Sequence, residues 1–392
     1  MDCPFCNRAI NLADCPIVAT NFTGGDDHVT SYFDEPAADE PAGTVTLASG
    51  RELQLGSHGW PVLYDSRTIK QSRLRRFVGS PPSLSEHSRP EDLPARLCTE
   101  CHWPLPQDAG ERPILTIAVL GAQGSGKTHF LASSLTAAYR DQALAPLGYD
   151  SFYPTGDTDQ RFHDDYFMRV FEERSTFPAN QVVDVRRSPL TFRVSKNGRD
   201  HTVLLHDISG ELLANRSSRN RLAPFVHHAD GVIFMIDPWG LQEVRSKLVG
   251  KYSGMDQAAR GFSQTQMINS VADDIERISP ARVATVPAAF AISKSGLIHE
   301  ALGVGVDKFA GKDVTPQQRR AEIHDISTMV RRELLADLGE GALGPAIARF
   351  ANASLHLVAA LGSQPAIGQP VSEVKPSRIT DPLYSVLDRI VS

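Results

Sequence analysis

The chain has 392 residues, 41% of them hydrophobic and 22% charged, with a formal net charge of −6. This is ordinary globular composition at a length for two or three domains, and the acidity excludes a general affinity for nucleic acid or anionic membrane. No stretch approaches the ~18 consecutive apolar residues of a membrane span, and Met1-Asp-Cys-Pro-Phe-Cys6 lacks the basic-then-apolar order of a secretory signal. A cytoplasmic location, with reduced thiols, is expected.

In chain order, the cysteines come first. Of the five, Cys3/Cys6 and Cys98/Cys101 form two C-x-x-C pairs. Two such knuckles read as a four-thiolate site for structural Zn2+, with no open position for catalysis. Their separation far exceeds the about twenty residues of a compact ribbon. The reading is therefore a split zinc-ribbon-like domain over residues 1–110, with an insertion at about 20–96. Two unrelated reduced pairs or a redox disulfide are the alternatives. His102 and Cys15 are substitute ligands, and Cys15 otherwise reads as a spare thiol. The insertion is acidic early (Asp26, Asp27, Asp34, Glu35) and rich in Pro and Ser over 79–94. Thr44-Val-Thr-Leu47 and Glu52-Leu-Gln-Leu55 flank Ser49-Gly50, which predicts a hairpin. Arg73-Leu-Arg-Arg76 reads as solvated surface.

Next comes Ile114-Leu-Thr-Ile-Ala-Val-Leu-Gly-Ala-Gln-Gly-Ser-Gly-Lys-Thr128. The apolar half predicts a strand buried on both faces. The second half is G-x-x-x-x-G-K-T, a P-loop. Leu131, Leu135, Ala138 and Tyr139 then share one face of a helix running to about Ala143. Gly121, Ala122, Gln123, Gly124, Ser125 and Gly126 would aim backbone N–H groups at phosphates, with His129 on the first helical turn. Lys127 would reach the β- and γ-phosphates and the Thr128 hydroxyl would ligate Mg2+. The expectation is a nucleoside triphosphate site.

Strand and helix signals then alternate over 111–392, which predicts a doubly wound α/β domain. Helical periodicity spans Arg161 to Glu173. Leu190–Ser195 and His201–His206 flank Asn197-Gly198, a hairpin turn that would set antiparallel strands beside a parallel sheet. Asp207-Ile-Ser-Gly210-Glu211 follows as D-x-x-G: an Asp to hold Mg2+ through water, and a Gly to let a backbone N–H meet the γ-phosphate. Gly231–Asp237 is a buried strand. Ser263 caps a helix bearing Met267, Ile268, Val271 and Ile275, which Pro280 ends. Ala288–Ile292 is a strand, Thr315-Pro316 opens a long helix, Leu355–Leu361 is the last strand, and Asp381-Pro382 opens the closing helix. His206, His227 and His228 read as structural or surface residues.

This order of P-loop, hairpin, D-x-x-G, strand, helix, strand with a Lys motif, helix and strand resembles the TRAFAC (Ras-like) GTPase domain. Asp-Ile-Ser-Gly-Glu behind a zinc ribbon resembles its bacterial double-GTPase group. The resemblance implies a P-loop fold with one antiparallel strand, GTP and Mg2+ as ligands, and Lys127, Asp207, Gly210 and Glu211 as the catalytic set. It puts Ser293-Lys294-Ser295-Gly296 in the place of the base-reading N/T-K-x-D motif. Lys294 matches; the Asp that would pair with guanine is Gly296 here. Thr155, Thr158 and Thr176 are candidates for the switch threonine. Glu211 would orient water yet repel the γ-phosphate, so slow turnover is implied, with Arg216, Arg219 or Arg221 as a candidate arginine finger.

The expected function is a switch that binds and slowly hydrolyses GTP and so changes its binding to a protein partner. By resemblance, another GTPase-like protein is one such partner. An ATPase with Asp237 ending its Walker B strand, or a nucleotide-bound scaffold without turnover, are the competing readings. The sequence is silent on oligomeric state.

Overall fold

The computed structural model describes residues 1–20, 44–47, 50–56, 60–65, 83–89, 92–122, 124–175, 189–208, 224–248, 250–251, 264–303, 315–337, 343–362 and 374–391. Contacts divide the chain into Met1–Ile114 and Leu115–Ser392.

In the first unit, β1 (Ile17–Ala19) lies between β4 (Val62–Tyr64) and β5 (Pro94–Arg96), antiparallel to both. The expected hairpin is present as β2 (Thr44–Thr46) and β3 (Glu52–Gln54). Leu47 and Leu53 bury against Ala19. Three-residue strands carry too little alternation to be read from sequence, and β1, β4 and β5 were not expected.

The second unit is built on a seven-stranded sheet of order β12-β11-β10-β6-β9-β8-β7. It comprises β6 (Ile114–Gly121), β7 (Tyr149–Pro154), β8 (Leu190–Lys196), β9 (Arg199–Asp207), β10 (Gly231–Ile236), β11 (Ala288–Ile292) and β12 (Ala353–Leu357). β6, β10, β11 and β12 are parallel, while β7, β8 and β9 pair antiparallel. Apolar residues on both faces make it a three-layer structure. Ala118, Leu120, Phe234 and Phe290 face one core; Ile117, Val119, Ile233 and Met235 face the other. Phe234 and Phe290 stack at 4.9 Å.

The hairpin turn forms as its residues demand, with Asn197 at φ 53° and Gly198 at 71°. The helix after the P-loop, α1 (Lys127–Leu135), continues as a π-helical turn over Thr136–Arg140. Beyond it, β7 was not expected. It leads to α2 (Thr158–Phe162) and a π-helical run His163–Glu172, the helical stretch read from periodicity. After β10 come α3 (Gln242–Leu248) and α4 (Gln264–Ile278). Pro280 ends α4 but also starts α5 (Pro280–Thr285), since proline suits a first helical turn. α6 (Ser295–Leu302) follows β11. α7 (Pro316–Asp337) starts from a reciprocal cap, in which Gln318 N–H donates to Thr315 Oγ1 and Thr315 N–H to Gln318 Oε1. α8 (Leu343–Ala348) precedes β12, and α9 (Asp381–Ile390) closes the chain with Leu383, Val386 and Leu387 buried.

Candidate functional site

β6 lies between β10 and β9, so the chain reverses direction of winding there and opens a crevice at the carboxyl ends of the strands. The P-loop sits at that point. Gly121 is required for space rather than for an unusual φ: a Cβ there would stand 2.5 Å from Ser125 Oγ and 2.9 Å from Met235 O. Gly124 and Gly126 do adopt left-handed conformations, φ 77° and 87°, and turn the chain into α1.

Lys127 folds back over the loop. Its Nζ donates to Gly121 O at 2.8 Å and Ala122 O at 3.5 Å. Burial pulls the ammonium pKa down, and the charge of Asp207 works against that shift. Asp207 ends β9, and the next residue, Ile208, is buried and donates its N–H to Val119 O at 3.3 Å. Lys127 and Asp207 are thus brought near each other from distant parts of the chain. The hydroxyl of Ser125 is buried in the loop and has no hydrogen-bond partner among the described residues. A glycine cradle, a helix N-terminus and a lysine suit a phosphate chain, and Thr128 and Asp207 carry the oxygen donors that Mg2+ would take. His129 is half-buried; desolvation first, then the charge of Lys294, lowers its pKa to about 4. Gln123, Ser209, Gly210, Glu211, Arg216, Arg219 and Arg221 lie outside the described residues.

The opposite flank is built from the ends of β10, β11 and β12. Ser293 donates through N–H and hydroxyl to Ile236 O. Lys294, held at φ 51°, sends Nζ to Gly124 O at 3.1 Å and to Asp237 Oδ1 at 3.0 Å. Asp237 was read only as a competing metal ligand. Here its Oδ1 also accepts from Trp239 N–H, and the Gln264 side-chain amide clamps its backbone N–H and C=O. Sequence reasoning missed Gln264, and its only signal is its place on the first turn of α4. Ala360 accepts from Ser133 Oγ on α1 at 2.8 Å.

Of the switch-threonine candidates, Thr158 is fully buried and its Oγ1 accepts from Thr191 N–H at 2.9 Å. Thr155 donates its N–H and hydroxyl to Thr191 O. Thr155 ties the end of β7, and Thr158 the start of α2, to the start of β8. Thr176 lies outside the described residues.

In the first unit, Cys3, Cys6, Cys98 and Cys101 place their sulfurs within 4.8 Å of one another. Cys3–Cys101 is 3.8 Å and Cys6–Cys98 is 3.9 Å. Those distances are far beyond the ~2.05 Å of a disulfide, and they match the edge of a tetrahedron with ~2.3 Å metal–sulfur bonds. The two knuckles mirror each other. Asn7 N–H donates to Cys3 O with φ 56° at Asn7, and His102 N–H donates to Cys98 O with φ 57° at His102. Phe5 and Glu100 donate backbone N–H groups to Cys3 and Cys98 sulfurs. The cluster can hold a metal ion. Cys15 is buried apart from it, its thiol donating to Asn11 O, and His102 serves through its backbone.

A family model, Double-GTPase 2, matches residues 115–326. SaeC of Mycolicibacterium smegmatis, named for a proposed role in ESX-1 scaffolding and assembly, is 27% identical over 253 residues. The match takes in 63% of this chain and 59% of SaeC, so the chain spans about three fifths of that relative. Among solved structures, the Arl6 BBS3 small GTPase from Trypanosoma brucei, with the nucleotide analogue GppNp, aligns at 13% identity over 71% of this chain and 98% of its own, TM-score 0.27. The G domain of the T. maritima FeoB iron transporter aligns at 11% identity over 71% and 97%, TM-score 0.27.

Proposed function

This chain belongs to the Double-GTPase 2 family, and on that premise we propose a switch that binds GTP with Mg2+, hydrolyses it slowly, and changes its binding to a protein partner with nucleotide state. One observation carries the reading: Lys127 is parked on the loop's own carbonyls, in the field of Asp207, at the first turn of α1. Phosphate oxygens would replace those carbonyls as its partners. The N–H groups of residues 121–128 would hold the phosphate chain, Thr128 and Asp207 would hold Mg2+, and Gly210 would meet the γ-phosphate. Mg2+ held there would supply charge neutralisation to the phosphates. Glu211 would orient water while repelling the γ-phosphate, which keeps turnover slow. Thr176 becomes the candidate switch threonine, because Thr155 and Thr158 are occupied at β8. The ion pair between Asp237 and Lys294 supports this arrangement over an ATPase reading in which Asp237 serves the metal.

Zn2+ on Cys3, Cys6, Cys98 and Cys101 would be structural, holding a ribbon-like unit that docks protein. The likeness to SaeC supports a protein partner, and a second GTPase-like protein is the candidate by resemblance. No helix among the described residues is long and apolar enough to cross a membrane; the reduced thiols suit a cytoplasmic setting.

The test is a titration with a fluorescent GTP analogue in Mg2+, followed by single-turnover hydrolysis with and without partner. Lys127→Ala should weaken binding by about 10- to 100-fold, the value of a charge-assisted contact to phosphate. Unchanged affinity in that variant would sink the proposal.

A further inference from the structure

Beyond β10 the chain leaves the sheet at Asp237, yet the backbone of Asp237 is still paired. The Gln264 side-chain amide supplies both partners: Oε1 accepts the Asp237 N–H at 2.5 Å, and Nε2 donates to Asp237 O at 2.9 Å. A primary amide offers the same donor and acceptor as a peptide, so Gln264, on the first turn of α4, stands in for a neighbouring strand at this position. Room is kept for it. A Cβ on Gly240 would collide with Gln264 Nε2, and Gly240 does not adopt a left-handed φ, so the glycine is there for space. Asp237 and Gln264 are both buried.

The clamped backbone aims the Asp237 carboxylate. Its Oδ1 accepts from Trp239 N–H at 3.1 Å and from Lys294 Nζ at 3.0 Å. Lys294 in turn donates to Gly124 O at 3.1 Å. A lysine side chain loses rotamer freedom when it is held in one place. The carboxylate offsets that loss and keeps the ammonium against the P-loop. The peptide plane that bears Gly124 O also bears the Ser125 N–H, so the contact fixes one peptide inside a glycine-rich loop that has many other shapes open to it. The hydrogen bonds thus run in one line from α4, through the end of β10 and the residue that opens α6, to the P-loop.

We propose, resting on the nucleotide-binding reading above, that Gln264 is a positioning residue for the nucleotide: through Asp237 and Lys294 it holds the P-loop in its binding shape and slows nucleotide release. Gln264 itself touches neither the loop nor the phosphates. Its effect passes through the Lys294 ammonium.

The full-length protein is loaded with a fluorescent GTP analogue in Mg2+ and chased with excess unlabelled GTP. The release rate is read for the parent, Gln264→Ala, Lys294→Met and the double variant. Methionine keeps the length of the lysine stem and removes the ammonium. Each single change should speed release by about 3- to 30-fold, the range for losing a charge-assisted hydrogen bond or its support. The double variant should match Lys294→Met to within about twofold, because the two residues act as one unit. Parental release in folded Gln264→Ala overturns the proposal. So do effects that multiply in the double variant, since a merely structural role at α4 would act independently of Lys294. Should Gln264→Ala fail to fold, Gln264→Glu, which keeps the acceptor and loses the donor, replaces it under the same criteria. A folded parent that binds no GTP analogue removes the nucleotide reading itself, and this inference with it; a parent that binds while folded Gln264→Ala releases at the parental rate removes the inference alone.

Discussion

His206 stacks on Phe225 with ring centroids 3.8 Å apart, and His356 shares a hydrogen bond with Ser354 Oγ at 2.9 Å. Burial pushes both imidazole pKa values from 6.5 down to about 3, with Arg378 and Arg389 adding to the shift at His356. Both are therefore neutral in the fold. Below pH 6.5 the unfolded chain takes up protons that the fold refuses, so stability falls as pH drops from 6.5 toward 3, by about 1.4 kcal/mol per pH unit per group at most. Asp381 runs the other way. Burial raises its pKa from 3.8 to about 6, against the pull of Arg378, so between those values the fold holds a proton that the unfolded chain has lost. One carboxyl offsets one histidine, and the histidines win. The urea midpoint should fall between pH 6.5 and 4.5, with a shallower slope in His356→Gln. A midpoint that rises on acidification would rule out neutral buried histidines.

At the scale of elements, β7 shows why some structure is illegible in sequence. Its register shifts between Tyr149 and Ser151, so the inward–outward alternation breaks inside a six-residue edge strand. The hairpin β8–β9 was legible because alternation and an Asn-Gly turn are both local. What fixes β7 and α2 in place is tertiary. Thr158 accepts Thr191 N–H, and Arg161 donates to Pro189 O at 2.9 Å. Thr158→Val removes the acceptor and leaves the half-buried Thr191 N–H without it, at a cost of about 1 kcal/mol. Denaturant unfolding should report that loss. Thr158→Ser, which keeps the hydroxyl, should recover most of it.

At the scale of the whole molecule, two units rest on different physics. The second buries both faces of a seven-stranded sheet and has cores to spare. The first is built on three-residue strands, with Phe5, Ile17, Val18, Leu97 and Leu105 among its buried residues, and a metal held by its cysteine cluster would add to its stability. Purified protein should contain one zinc per chain, and Cys98→Ser should lose it. A high-affinity chelator should lower the thermal transition of residues 1–114. If the chelator leaves every transition in place, the cysteine cluster is not a structural metal site.

The chemistry that depends on near neighbours was already written in the sequence. The P-loop glycines, Lys127 and Thr128, the Asn197-Gly198 turn and Asp207 at a strand end need only local backbone geometry, and their spacing declares it. The two knuckles were legible as pairs for the same reason. Other features needed the fold. The pairs converge across a separation of 98 residues between Cys3 and Cys101, and Lys294 reaches Gly124 across 170. Asp237 was a plausible metal ligand until packing gave it to Lys294, Trp239 and Gln264. Thr158 was a plausible switch residue until burial gave it to Thr191. Such partnerships are set by which strands lie side by side and how helices close over them, and that is decided by burial of apolar surface over the whole chain rather than by any short run of residues.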